Sequence, residues 1–144
     1  PEIFTASQNA WPSLVPGFEV FPGQSPMPES FEFARIGAVV PWLSDWERGA
    51  TPALEAGLLP FIDRFKGCYP GQEVVELSLN VGRPARVLVA VELESEPAEK
   101  LPLNGGGEGL VTSRAERGGK WRALVRVPWA KREMTGYVLL GPKP

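Results

Sequence analysis

Ala85-Arg86-Val87-Leu88-Val89-Ala90-Val91-Glu92-Leu93-Glu94 is the stretch that decides the fold. Its alternation puts Val87, Val89, Val91 and Leu93 on one face of an extended chain, which predicts a strand with one buried side. Working outward, residues 109–113 predict a second strand. Gly118-Gly119 is a hairpin signal. It leads into residues 120–127, where Trp121, Ala123, Val125 and Val127 face one way. Residues 137–140 predict a last strand. Asn104-Gly105-Gly106-Gly107-Glu108 lacks the lysine and following Ser/Thr of a phosphate-binding loop and reads as a turn. Residues 84–144 are therefore expected to form a small antiparallel β-barrel or sandwich, the barrel being the first choice.

Upstream the pattern changes. Residues 80–84 predict a turn and a domain boundary. Residues 29–38 predict a short helix, with Phe31, Ala34 and Ala38 at helical spacing and Ser30 as a candidate N-cap. Phe33 stands where a capping box would need Glu or Gln, and Pro41 stops the helix. Thr51 through Gly57 predicts a single helical turn, with a threonine cap, proline at the first position and glycine at the end. Residues 74–77 fit either a helical turn or a strand. Residues 1–30 are rich in proline turns, at Trp11-Pro12, Pro16-Gly17, Pro22-Gly23 and Pro26-Met27-Pro28. Phe18-Glu19-Val20-Phe21 reads as a short strand without a hairpin partner nearby. The expected class is α+β, with a first domain over 1–83 and a second over 84–144.

Composition narrows the function. Fifteen basic residues face seventeen acidic ones, for a net charge of -2, so no nucleic-acid partner is expected. Arg114, Arg117, Lys120, Arg122 and Arg126 make the second half locally basic, and a solvated face is the default reading. No apolar run approaches the ~18 residues of a membrane span. Pro1-Glu2-Ile3-Phe4 lacks the basic-then-apolar pattern of a signal peptide. With one cysteine and no histidine, the chain cannot form an internal disulfide, the usual zinc, haem or copper site, or a Ser-His-Asp or Cys-His pair. A lone thiol fits a reducing cytoplasm. Sixteen glycines and sixteen prolines are spread between apolar segments, which argues for many turns and short strands.

That cysteine lies in Lys66-Gly67-Cys68-Tyr69-Pro70-Gly71-Gln72-Glu73, the densest chemistry in the chain. Two glycines and a proline make it a turn, and Gly67 and Gly71 are expected to be needed for backbone geometry. Cys68 reads either as a reactive thiol, whose thiolate a nearby cation such as Lys66 would favour, or as a small buried apolar residue. Gln72 and Glu73 could hydrogen-bond a pterin edge or cap the following turn. Tyr69 could stack on a ligand or be buried with its hydroxyl bonded. Trp42, Trp46 and Trp121 read as packing residues.

The pattern Lys-Gly-Cys-Tyr-x-Gly-Gln-Glu resembles the signature of the YgfZ-type folate-binding proteins, relatives of the glycine-cleavage T-protein (an aminomethyltransferase). All seven specified positions are present. Arg35-Ile36, Pro41 and Glu47, then Pro52 through Leu58, resemble the segments that lead into it. Gly82, Arg86, Leu88, Gly109, Val111-Thr112-Ser113 and Trp121 through Leu124 are similar to the family's C-terminal barrel. The sequence departs at Val39, where the family usually has glycine, and at Glu76-Leu77-Ser78, where an arginine is common.

The resemblance implies that residues 1–83 are a partial T-protein-like domain. A preceding half or a second subunit would complete a central folate pocket. It implies tetrahydrofolate as ligand, iron–sulfur assembly proteins as partners, Cys68 with Lys66 as the functional centre, and Tyr69, Gln72, Glu73, Arg35 and Glu47 as ligand-binding residues. An ion pair or simple exposure explains Arg35 and Glu47 equally well. The implied function is folate-dependent support of iron–sulfur cluster assembly or repair. The alternatives are an aminomethyltransferase, for which a general base is hard to find without histidine, and an interaction module that has lost folate binding.

Overall fold

The computed structural model describes residues 11–12, 19–20, 29–47, 50–80, 82–133 and 136–141. The architecture is α+β, with two nine-residue helices and a five-stranded antiparallel sheet. A two-stranded ribbon pairs β1 (Trp11–Pro12) with β2 (Glu19–Val20). The strand expected near Val20 thus has the nearby partner that the sequence reading denied it. The proline turns expected at Pro16-Gly17, Pro22-Gly23 and 26–28 lie outside the described residues.

Helix α1 (Glu29–Gly37) and helix α2 (Gln72–Asn80) precede the sheet. The sheet is built from β3 (Arg86–Leu93), β4 (Lys100–Pro102), β5 (Glu108–Arg117), β6 (Lys120–Pro128) and β7 (Val138–Leu140). Its order is β4-β5-β6-β3-β7. The outer strands do not pair with each other, so the sheet is open where a closed barrel was expected. Strand β4 escaped the sequence reading because it is short and ends in a proline, which suits an edge.

The register explains the core. Val87, Val89 and Val91 lie opposite Val127, Val125 and Ala123. These six, with Leu101 and Leu103, form the buried cluster on one face, flanked by Trp129 and Tyr137. The opposite face is covered too, because Ile36 of α1 packs on Leu88, Ala90 and Leu124. The alternation therefore marks a strand whose centre is buried on both sides, not one. Burying a leucine or valine side chain stabilises by about 1.5–3 kcal/mol, so the centre of the sheet carries much of the stability.

Strand β5 carries a bulge. Val111 faces Val125 and Ser113 faces Leu124, leaving Thr112 as the extra residue. The bulge turns Thr112 and Ser113 towards the segment after α1. The turn predicted over 51–57 forms with one helical bond, Ala56 N to Pro52 O at 3.0 Å, and ends at Gly57 with φ +76°. Thr51 does not cap it, because its hydroxyl accepts the Glu47 backbone N–H at 3.1 Å. The loop at 104–107 is a tight turn whose carbonyls at Gly105 and Gly106 accept from Lys131 Nζ. Among the described residues no helix is long and apolar enough to cross a membrane.

Candidate functional site

The cysteine loop follows a 3₁₀ turn at Leu59–Phe61 and is closed by local chemistry. Asp63 Oδ1 accepts the backbone N–H groups of Phe65 (2.8 Å) and Lys66 (3.2 Å), which bends the chain. Arg64 then reaches across to α2 as a fork, with Nε to Glu76 Oε1 at 3.0 Å and Nη2 to Oε2 at 2.7 Å. Asn80 donates to the same Oε2 at 3.3 Å. The Arg64 guanidinium, through its hydrogen bond and its charge, holds the Glu76 carboxyl below its ordinary pKa, and Asn80 adds to this. The carboxylate in turn raises Arg64. Residues 65–71 are thus a loop stapled at its base by a surface ion pair.

Within that loop Cys68 is exposed, so the buried apolar reading of the thiol does not describe it. Lys66 is exposed and places Nζ 5.0 Å from the centroid of the Tyr69 ring. Tyr69 is half-buried, and its hydroxyl is shielded without a hydrogen-bond partner among the described residues. Gly71 has φ +86°, a left-handed conformation that favours glycine. Gly67 has no such φ, and a side chain there would meet open space, so the expected geometric need applies to Gly71 alone.

Gln72 and Glu73 form the first turn of α2, where the carboxylate suits the positive end of the helix. Gln72 is half-buried and Glu73 exposed. Phe65 is fully exposed, and Val74 and Leu77 also face solvent on α2.

The structure brings Lys66, Cys68, Tyr69, Gln72 and Glu73 into one segment but places Arg35 and Glu47 elsewhere. Arg35 is 1% exposed. Its Nε donates to Glu32 at 2.8 Å, Nη1 to Asp45 Oδ2 at 2.8 Å and to Val40 O at 3.1 Å, and Nη2 to Ser113 Oγ at 2.8 Å. Nη2 also lies 2.6 Å from the Glu32 carboxylate. All three guanidinium nitrogens are therefore engaged by the protein.

The second oxygen of Asp45, Oδ1, accepts from the bulged Thr112 hydroxyl at 2.6 Å. Arg126 donates to the Asp45 carbonyl at 2.6 Å. The arginine–carboxylate alternative is thus realised, but with Asp45 and Glu32 rather than Glu47. Glu47 is exposed. Sequence reasoning missed Asp45, Arg64 and Glu76. The only local signal was Asp63 two residues before Phe65, and nothing in spacing connects Arg64 to Glu76.

The basic residues of β5 and β6 are also more than a solvated face. Arg122 lies 4.0 Å from the Phe33 ring centroid and donates to the Phe33 carbonyl at 3.3 Å. Lys120 pairs with Glu92 at 3.0 Å, and Arg114 donates to the Pro97 carbonyl at 3.1 Å.

A cleft of about 480 Å³ opens between residues 38–40, the 54–61 segment, the end of α2 and the start of β3. No residue between 62 and 77 lines it, so the cysteine loop and this cleft are separate features. Among the described residues no cluster of three or more Cys, Asp or Glu side chains is placed to hold a metal ion. Against protein-family models and against curated proteins, the chain finds no match.

Proposed function

We propose that this chain is a cytoplasmic, YgfZ-type tetrahydrofolate-binding accessory protein that supports iron–sulfur cluster assembly or repair through Cys68. One observation carries the reading. The segment resembling the family signature holds its only thiol in solvent, on a loop closed at its base by Arg64 and Glu76. A single thiol can donate one ligand to a cluster shared with a partner or form a mixed disulfide, and both need that exposure. Phe65, Val74 and Leu77 give an assembly protein apolar surface to meet beside the thiol.

On this reading Tyr69, Gln72 and Glu73 recognise the pterin, by stacking and by hydrogen bonds to its aminopyrimidine edge. Arg35 keeps its place as the clamp between α1 and the sheet. A preceding half or a second subunit supplies the remaining wall of the folate pocket. The five-stranded sheet is then the counterpart of the family's C-terminal barrel, and residues 1–83 the counterpart of part of its T-protein-like domain.

Titration calorimetry with tetrahydrofolate under reducing conditions is expected to give saturable heat, and its absence at high protein concentration removes the folate half of the proposal. Cys68→Ala is expected to fold with an unchanged melting temperature and to fail to restore cluster-dependent enzymes in cells that need the protein. Full restoration would reduce Cys68 to an inert residue.

A further inference from the structure

We infer that the cleft between α1, α2 and β3 is a binding site for a small apolar molecule carrying one anionic group, with Arg83 as the residue that holds the charge. The cleft volume of about 480 Å³ is the size of a small-molecule site. Its walls are Val39, Leu54, Leu79, Pro84, Leu88 and Trp129, and these fix the apolar part of the ligand. Among the described residues Arg83 is the only charged side chain on the lining. Ser78 adds one hydroxyl.

Arg83 has no carboxylate partner among the described residues, and of the other arginines that share this lack, Arg86, Arg117 and Arg126, none lines the cleft. The Arg83 guanidinium instead lies 5.3 Å from the centroid of Trp129, at the edge of the apolar space. Arg83 is exposed at the rim, so its charge is open to an anion whose apolar part seats in the cleft. Arg132 also lies over Trp129, at 4.4 Å, but it is engaged by the Trp129 carbonyl and Glu133. One free cation in an apolar cleft selects one negative charge.

Val39, also on the wall, has φ +57° because it is the left-handed residue that ends α1, with Val39 N donating to Ile36 O at 3.0 Å and Val40 N to Arg35 O at 2.9 Å. The site is independent of the folate reading, because none of Cys68, Tyr69, Gln72 or Glu73 lines it.

Fluorescence titration with 1-anilinonaphthalene-8-sulfonate and with its uncharged counterpart N-phenyl-1-naphthylamine tests this on the intact chain. Wild type is expected to bind both saturably, one per chain. Arg83→Gln should weaken the sulfonate probe roughly tenfold or more, the scale of a lost charge-assisted hydrogen bond. The neutral probe should stay within about twofold, and Arg83→Lys should recover part of the loss. Arg83 is exposed, so melting temperatures should match.

Non-saturable binding overturns the inference. So does an Arg83→Gln variant that weakens both probes equally or neither. Stoichiometric displacement of the probe by tetrahydrofolate would also overturn it, by making the cleft part of the folate pocket. Absence of folate binding alone leaves the probe result intact, which keeps the two failures distinguishable.

Discussion

Helices α1 and α2 are both nine residues long, yet the molecule treats them differently. Helix α1 buries Phe31, Phe33, Arg35 and Ile36, and the turn after it is tied to the sheet through Asp45, Thr112 and Arg126. Helix α2 buries Val75 alone and is joined to the cysteine loop by an ion pair in solvent. Burial and a buried charge network around Arg35 and Asp45 hold α1 as part of the core. A screened surface pair cannot do the same for α2. The segment carrying Cys68 is therefore drawn from the less anchored end of the structure.

The largest effect should come from cutting the clamp. Asp45 is 0% exposed, and Asp45→Ala leaves the Arg35 guanidinium buried without its second carboxylate. A loss of roughly 3–5 kcal/mol is expected, read from the urea midpoint at constant m-value. A loss under about 1 kcal/mol would mean that α1 is no better anchored than α2, and the contrast would collapse.

A pair of glycine variants probes the same contrast at smaller scale. At Gly109 an added Cβ would lie 2.6 Å from Val125 Cγ1 and 3.0 Å from Val127 Cγ1. Gly109→Ala should therefore cost about 1–3 kcal/mol through overpacking. At Gly67 the same atom meets nothing within 4 Å, so Gly67→Ala should stay within about 0.5 kcal/mol. Equal costs would place the loop inside a packed environment.

The smallest global effect belongs to the staple. Arg64→Ala should leave the urea midpoint unmoved but speed amide exchange at residues 65–71. Glu76 has its folded pKa depressed, so its contribution is present above the ordinary carboxylate pKa of about 4.3. That contribution is lost as pH falls through the lower folded value. Loop exchange, corrected for intrinsic rates, should therefore rise below that range in wild type. In Arg64→Ala the rise should be absent, because the ion pair is already gone. Protection that ignores both the substitution and the acid range would show that something other than this pair closes the loop.

The strands of the sheet were readable because alternation at Val87, Val89, Val91 and at Ala123, Val125, Val127 is a local property of the chain. The hairpin at Gly118-Gly119 was readable for the same reason. Helix α1 carried its spacing and its proline stop. Residues 74–77 were ambiguous because adjacent apolar Val74 and Val75 followed by Leu77 fit a helical turn or a strand, and α2 buries only Val75 of them. Among the candidate site residues, the grouping of Lys66, Cys68, Tyr69, Gln72 and Glu73 followed from adjacency alone. Arg35 looked like a ligand residue because an arginine's partners are not written beside it. Glu32 lies one turn away on α1, but Asp45 and Ser113 come from two other segments of the chain.

The sequence by itself determined the α+β class, the antiparallel hairpin and the turn that carries the only cysteine, since each depends on neighbours a few residues apart. Tertiary structure alone decided the rest. It buried both faces of β3 and left the sheet open. It turned Thr112 through a bulge to meet Asp45, and it placed an unpaired Arg83 at the edge of an apolar cleft. Those outcomes depend on which distant groups compete for a buried charge or an apolar wall. That competition is settled only when the segments pack.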